Sequence, residues 1–258
     1  MERKIFLITN AGEEKTENFC AGVKIDAYNY KSFFKASYGG FWSDSEILHL
    51  DKPSKAVVIN ELSKLKTTDF SIIIFCGHGW YSSISKSSII DLNIKESIDS
   101  NELRSTTGKR IVILDSCRKV YPEYIVENLI KARALLESTS QFSKLNPESC
   151  KYYYNKKISE CPNQLLMAYA SDINELAGDS STNGGYYSSS LLKSSIDWVE
   201  KSIKEVDLSK IYSSGSFALC HLNSIPQVTK ISGDKQHPQI ERPRQANVKD
   251  NLPFVIIA

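Results

Sequence analysis

Residues 71–79 read Ser-Ile-Ile-Ile-Phe-Cys-Gly-His-Gly, and residues 110–117 read Arg-Ile-Val-Ile-Leu-Asp-Ser-Cys. Neither run alternates apolar with polar, so each must be covered on both faces, as in a buried strand of a parallel sheet. That requirement commits the chain to helices above and below a sheet. The first run ends in a histidine set between two glycines, and the second ends in a cysteine. In open α/β sheets the crevice outside the carboxyl ends of the strands is where ligands bind.

The remaining pattern fits this frame. Residues 5–8 and 46–50 read as further strands, 165–170 as a fifth, 215–219 as a sixth and 253–257 as a short seventh. Between them, Val23, Ala27, Tyr30, Phe33 and Phe34 recur at helical spacing. So do Ala56, Ile59, Leu62 and Leu65 after Pro53-Ser54, and Ile125, Val126, Leu129, Ile130 and Ala134. A short helix is expected over 99–106, a small hairpin around 89–92 and a helix over 187–200. Residues 138–162 show no clear period and carry Lys144, Lys151, Lys156 and Lys157, so they read as a long mobile loop. A mainly parallel sheet of about six strands with helices on both faces follows, in one domain spanning residues 1–258.

Lys+Arg and Asp+Glu nearly balance, 32 against 30, with no basic tract to engage nucleic acid. No run of apolar residues is long enough to span a membrane, and the first ten residues suit a strand better than a signal peptide. The chain therefore reads as cytosolic. None of its six cysteines forms Cys-x-x-Cys or stands at zinc-finger spacing from a histidine, which argues against a metal site.

Among the four histidines, His49 reads as a core residue, and His221 and His237 as structural or solvated. His78 differs, because Gly77 and Gly79 leave its flanks open to a substrate. Cys117 stands where a strand must turn toward the next element. A thiol beside an imidazole can act as a nucleophile.

These residues carry a resemblance. Phe75-Cys76-Gly77-His78-Gly79 and Ile113-Leu114-Asp115-Ser116-Cys117-Arg118 are similar to the two catalytic strand ends of caspase-like peptidases, in the metacaspase and prokaryotic orthocaspase branch. Gly22-Val23-Lys24-Ile25-Asp26-Ala27, Gly39-Gly40-Phe41-Trp42, Ala168-Tyr169-Ala170-Ser171 and Gly184-Gly185-Tyr186-Tyr187-Ser188 resemble further family segments in the family's order. Gln236-His237-Pro238-Gln239 with Leu252-Pro253-Phe254 resembles its closing segment.

The resemblance implies a three-layer caspase-like sandwich. Residues 1–137 would correspond to the large subunit, 138–162 to a cleavable linker and 163–258 to the small subunit. It implies a cysteine endopeptidase in which Cys117 attacks the peptide carbonyl and His78 is general base and acid. The amides of Gly79 and Cys117 would form the oxyanion hole. Asp115 and Asp26 match acidic pocket positions and imply cleavage after Arg or Lys, with Cys76 and Ser171 near the pocket wall. The other readings are a helix cap for Asp26 and a turn residue for Asp115. Lys151, Lys156 and Lys157 are candidate self-cleavage positions. The family's calcium-binding acidic cluster is not matched (Asn93, Lys109 and Tyr124 stand there, with Glu123 nearby), so no cofactor is expected. The expected partners are a protein or peptide substrate and an activating protein in a bacterial regulatory or defence cascade. A silent scaffold and an Asp-specific protease are the competing functions.

Overall fold

The computed structural model describes residues 1–16, 18–104, 108–119, 142–207, 211–243 and 252–258. The helix expected from Glu123 to Leu136, Tyr124 included, lies outside the described residues. The strands are β1 (Arg3–Asn10), β2 (Ile47–Asp51), β3 (Phe70–Gly77), β4 (Gly79–Ser82), β5 (Ser87–Asp91), β6 (Ser97–Asp99) and β7 (Lys109–Asp115). They continue with β8 (Gln164–Tyr169), β9 (Asp179–Ser180), β10 (Gly184–Gly185), β11 (Ser213–Ser216), β12 (Gln239–Glu241) and β13 (Pro253–Ile257). The helices are α1 (Gly22–Lys35), α2 (Lys55–Lys64), α3 (Pro147–Glu160), α4 (Tyr186–Glu205) and α5 (Phe217–Ile231).

The central sheet has six strands in the order β12-β8-β7-β3-β1-β2, all parallel except β12, which runs antiparallel to β8. The chain steps from β1 outward to β2 and then back across to β3. The order therefore reverses at β1, and the β1/β3 crevice is where such sheets hold ligands. Alternate strand residues divide between two cores. Ile5, Leu7, Ile72, Ile74, Ile111 and Ile113 pack with α1, α3, α4 and α5 on one face. Phe6, Ile8, Ile73, Phe75, Val112 and Leu114 pack on the other with Val58 and Leu62 of α2 and Ile90 and Ile98 of the β4-β5-β6 hairpin sheet. Among the described residues, no helix is long and apolar enough to cross a membrane.

Three expectations are corrected. Residues 147–160, expected within a mobile linker, form α3. Asn146 accepts from the Ser149 amide, Pro147 opens the first turn, and Cys150, Tyr154 and Ile158 are buried one turn apart. Lys151, Lys156 and Lys157 thus stand on a helix. Lys151 lies 3.7 Å from Glu46 and Lys157 lies 3.8 Å from Glu160. Their backbone is closed by helical hydrogen bonds rather than extended for cleavage. The second correction is that residues 215–219 do not form one strand. Ser216 caps α5 by accepting from the Leu219 amide, and β11 before it pairs with β13 outside the central sheet. The sixth central strand is instead β12, too short and polar to stand out. Finally, Ile59 is exposed on α2, where Val58 and Leu62 face the core.

Candidate active site

Cys76 of β3 pairs with Asp115 of β7, and His78 and Cys117 each stand two residues further along their strands. Adjacent strands lie about 4.8 Å apart, so the register brings His78 and Cys117 to neighbouring strand ends at the carboxyl edge. Gly77 makes the turn possible, with φ +153° and a site where a Cβ would strike the Asn10 carbonyl. At Gly79 a Cβ would meet the Ile89 carbonyl at 2.7 Å and the Ser116 hydroxyl at 2.9 Å, so the histidine and cysteine loops are in contact.

Each of the two groups currently faces a different neighbour. The Cys117 sulfur accepts from the Ala177 amide at 3.3 Å and lies 3.7 Å from the Ala177 carbonyl. The His78 ring lies against the loop after β1, with the Cys20 sulfur 3.6 Å from Nε2 and 3.9 Å from Nδ1. Burial pushes the Cys117 thiol up; the Ala177 amide pulls it down, and Asp115 and Asp179 add to the rise. Burial raises the Cys20 thiol as well, with help from Asp179 and Cys117. No hydrogen bond joins Cys117 and His78 among the described residues; catalytic hydrogen bonds commonly tighten only when substrate binds.

Asp115 and Asp26 converge on the start of α4. Asp115 Oδ2 accepts from the Ser188 amide at 2.9 Å and from its hydroxyl at 2.6 Å. Asp26 accepts from the Gly185 amide at 2.9 and 3.0 Å through its two oxygens. Asp26 therefore does not cap its own helix, and Asp115 accepts a backbone amide, but that of α4. The carboxylates are 2 % and 6 % exposed. Burial pushes Asp115 up to about 6 against the pull of Ser188. Burial and the neighbouring Asp115 charge hold Asp26 well above the usual carboxylate range. Among the described residues, no cation pairs with either carboxylate.

Cys76 is fully buried, 4.0 Å from the Ser188 hydroxyl beside that pair. Ser171 is fully buried too, but its contacts are with the Glu175 carbonyl at 3.5 Å and the Arg118 guanidinium at 3.4 Å, not with the two aspartates. The remaining histidines are placed elsewhere. His49 bonds Thr9, His221 is buried against Tyr187, and His237 pairs with Glu175 and Asp234.

Sequence reading missed Cys20, Asp179 and Ala177. Cys20 was legible in principle, because the loop after β1 must flank His78 once β1 and β3 are neighbours. Ala177, from the loop after β8, and Asp179, which opens β9 and whose carboxylate accepts from the Gly22 amide at 2.8 Å, carried no local signal.

A parallel-centred sheet with a histidine and a cysteine on adjacent strand ends defines a class of thiol hydrolases. The chain belongs to the caspase-domain peptidase family, whose model matches residues 3–248. It is a cysteine-type peptidase. No curated protein matches the sequence.

Proposed function

We propose that this peptidase is an endopeptidase of the metacaspase or orthocaspase kind that cleaves after Arg or Lys. The observation that carries the specificity is the buried Asp26–Asp115 pair, of which Asp115 stands two residues before the nucleophile. A guanidinium or ammonium entering there neutralises charge that burial disfavours, and Arg can meet the two carboxylates with several donors. An aspartate side chain would add a third negative charge. Because both carboxylates are covered, the P1 side chain reaches them as the Gly184–Gly185 turn gives way.

In this reading the Cys117 sulfur loses its proton to His78 and attacks the scissile carbonyl carbon. The amides of Gly79 and Cys117 receive the oxyanion, a contribution of about 3 kcal/mol per donor in acyl transfer. The imidazolium then protonates the leaving amine, leaving a thioester on Cys117. Water, deprotonated by His78, attacks that thioester and releases the carboxylate product and the free thiol. No metal takes part, so a chelator leaves the rate unchanged. The sulfur parked on Ala177 and the imidazole parked on Cys20 favour a resting state that substrate or an activating partner converts.

The test compares hydrolysis of otherwise identical Arg, Lys and Asp fluorogenic peptides by the wild type and by Cys117→Ala. Cleavage after Arg and Lys, abolished by the substitution, is expected. Cleavage after Asp would overturn the pocket assignment, and activity surviving in C117A would overturn the nucleophile. A wild type that hydrolyses none of them and ignores an Arg-based acyloxymethyl ketone would favour the scaffold reading.

A further inference from the structure

The loop after β8, residues 170–178, is bound to the nucleophile segment along its length. Arg118 donates its amide to the Glu175 carbonyl at 3.0 Å, Asn174 donates to the Arg118 carbonyl at 2.9 Å, and Ala177 donates to the Cys117 sulfur at 3.3 Å. The loop is in turn held from its two ends by one side chain. Gln236 Nε2 donates to the Ala170 carbonyl at 2.9 Å, and its Oε1 accepts from the Gly178 amide at 2.9 Å.

Gln236 is 1 % exposed and rooted on the end of α5, where its own amide donates to the Ser232 hydroxyl at 3.1 Å. The next residue adds a second hold. The His237 amide donates to Glu175 Oε2 at 2.7 Å, and Nδ1 lies 2.7 Å from Oε1. A buried primary amide has one acceptor and two donors. Here it bridges two backbone groups eight residues apart, the geometry needed to fix the span between them.

We propose that Gln236 is a positioning residue for Cys117, holding the 170–178 loop so that the Ala177 amide stays on the nucleophilic sulfur. The inference rests on the reading of Cys117 as nucleophile. The Ala177 N–H favours the thiolate, as a hydrogen bond to a charged form does, while burial opposes it. Loss of the clasp and general loosening of the fold therefore move the thiol in opposite directions. Slackening the loop alone removes the amide and raises the thiol further. Opening the fold exposes the sulfur and brings it down toward the ordinary value of about 8.5.

The experiment measures carbamidomethylation of Cys117 by iodoacetamide across pH, read by peptide mass spectrometry, in the wild type, Gln236→Met and the neighbouring control Gln239→Met. Q236M is expected to raise the midpoint by roughly half a unit or more, with Cys76 and Cys150 still protected and Q239M unchanged. Gln236→Asn keeps the amide but cannot span both partners. It is expected to give a smaller shift of the same sign, and it serves if Q236M does not fold. An unchanged midpoint overturns the proposal. So does a fall in the midpoint accompanied by labelling of the buried cysteines, which would make Gln236 a general support of the fold. The readout needs no peptidase activity: a shift without hydrolysis would sink the proposed function alone, and hydrolysis without a shift would sink this inference alone.

Discussion

Replacing Asp115 with asparagine separates the two roles its carboxylate can have. If Asp115 serves mainly to cap α4, the charge stabilises the fold and its loss is costly. If it is held for a cationic substrate, the charge is a burden in the free protein. Its carboxyl is pushed up to about 6 from an ordinary 3.8, chiefly by burial. The folded state therefore binds the proton more tightly than the unfolded chain does. Stability contributed by this group is complete below about pH 3.8, is lost as pH rises through about 6, and stays lost above. A rise of about two units corresponds to roughly 3 kcal/mol at neutral pH.

Asparagine mimics the protonated form and still accepts from the Ser188 amide and hydroxyl. Its NH2 group needs a partner, which costs about 1 kcal/mol. D115N is therefore expected to gain roughly 2 kcal/mol in urea unfolding at pH 7.5, with about half that gain or less at pH 5. Its kcat/KM on an Arg peptide should fall by about 100-fold, the scale of one buried charged partner. A loss of stability at pH 7.5 that is the same at pH 5 would refute the reasoning and leave Asp115 as a helix cap.

Other expectations follow from buried groups away from the site. Burial holds His221 down to about 4, and its Nε2 has no partner among the described residues. The unfolded chain takes up a proton near pH 6.5 that the folded state refuses, so stability falls by roughly 3 kcal/mol in all as pH drops from 6.5 to 4. The slope of unfolding free energy over that window should flatten in His221→Phe, and an unchanged slope would contradict the assignment. Arg3 donates to Glu46 at 2.8 Å, Asn155 at 3.0 Å and the Gly40 and Phe41 carbonyls at 3.0 and 3.1 Å, and stacks 4.1 Å from the Trp42 ring. Arg3→Lys keeps the charge but not the fork, and a loss of about 3–5 kcal/mol in a urea melt is expected; a loss under 1 kcal/mol would show that the network is dispensable.

What could be read from the sequence was local and strongly patterned. Continuous apolar runs at Ile72–Phe75 and Ile111–Leu114 announced buried parallel strands, and their register puts His78 and Cys117 at neighbouring strand ends by counting residues. The misread elements had mixed signals. In α3 the buried Cys150, Tyr154 and Ile158 keep a four-residue spacing, but Tyr152 and Tyr153 beside them blur the apolar face. In α5, Pro226 interrupts a pattern that would otherwise read as one helix. The groups that hold the site together, Cys20, Ala177 and Gln236, meet across 58, 60 and 58 residues of chain. No local pattern encodes such contacts; only the completed sheet order brings them together.

The proposed nucleophile is Cys117, activated by His78, in a peptidase with an acidic P1 pocket. The Cys20 thiol touches that histidine, while Cys117 stands at the neighbouring strand end, so the most direct measurement is where a substrate-like electrophile lands. Acyloxymethyl ketones carrying Arg or Asp at P1 are incubated with the wild type and with His78→Ala, and the modified residue is located by peptide mass spectrometry. An adduct on Cys117 from the Arg probe, little from the Asp probe, and a large loss of labelling in H78A are expected. An adduct on Cys20, or equal labelling by the two probes, would contradict this assignment.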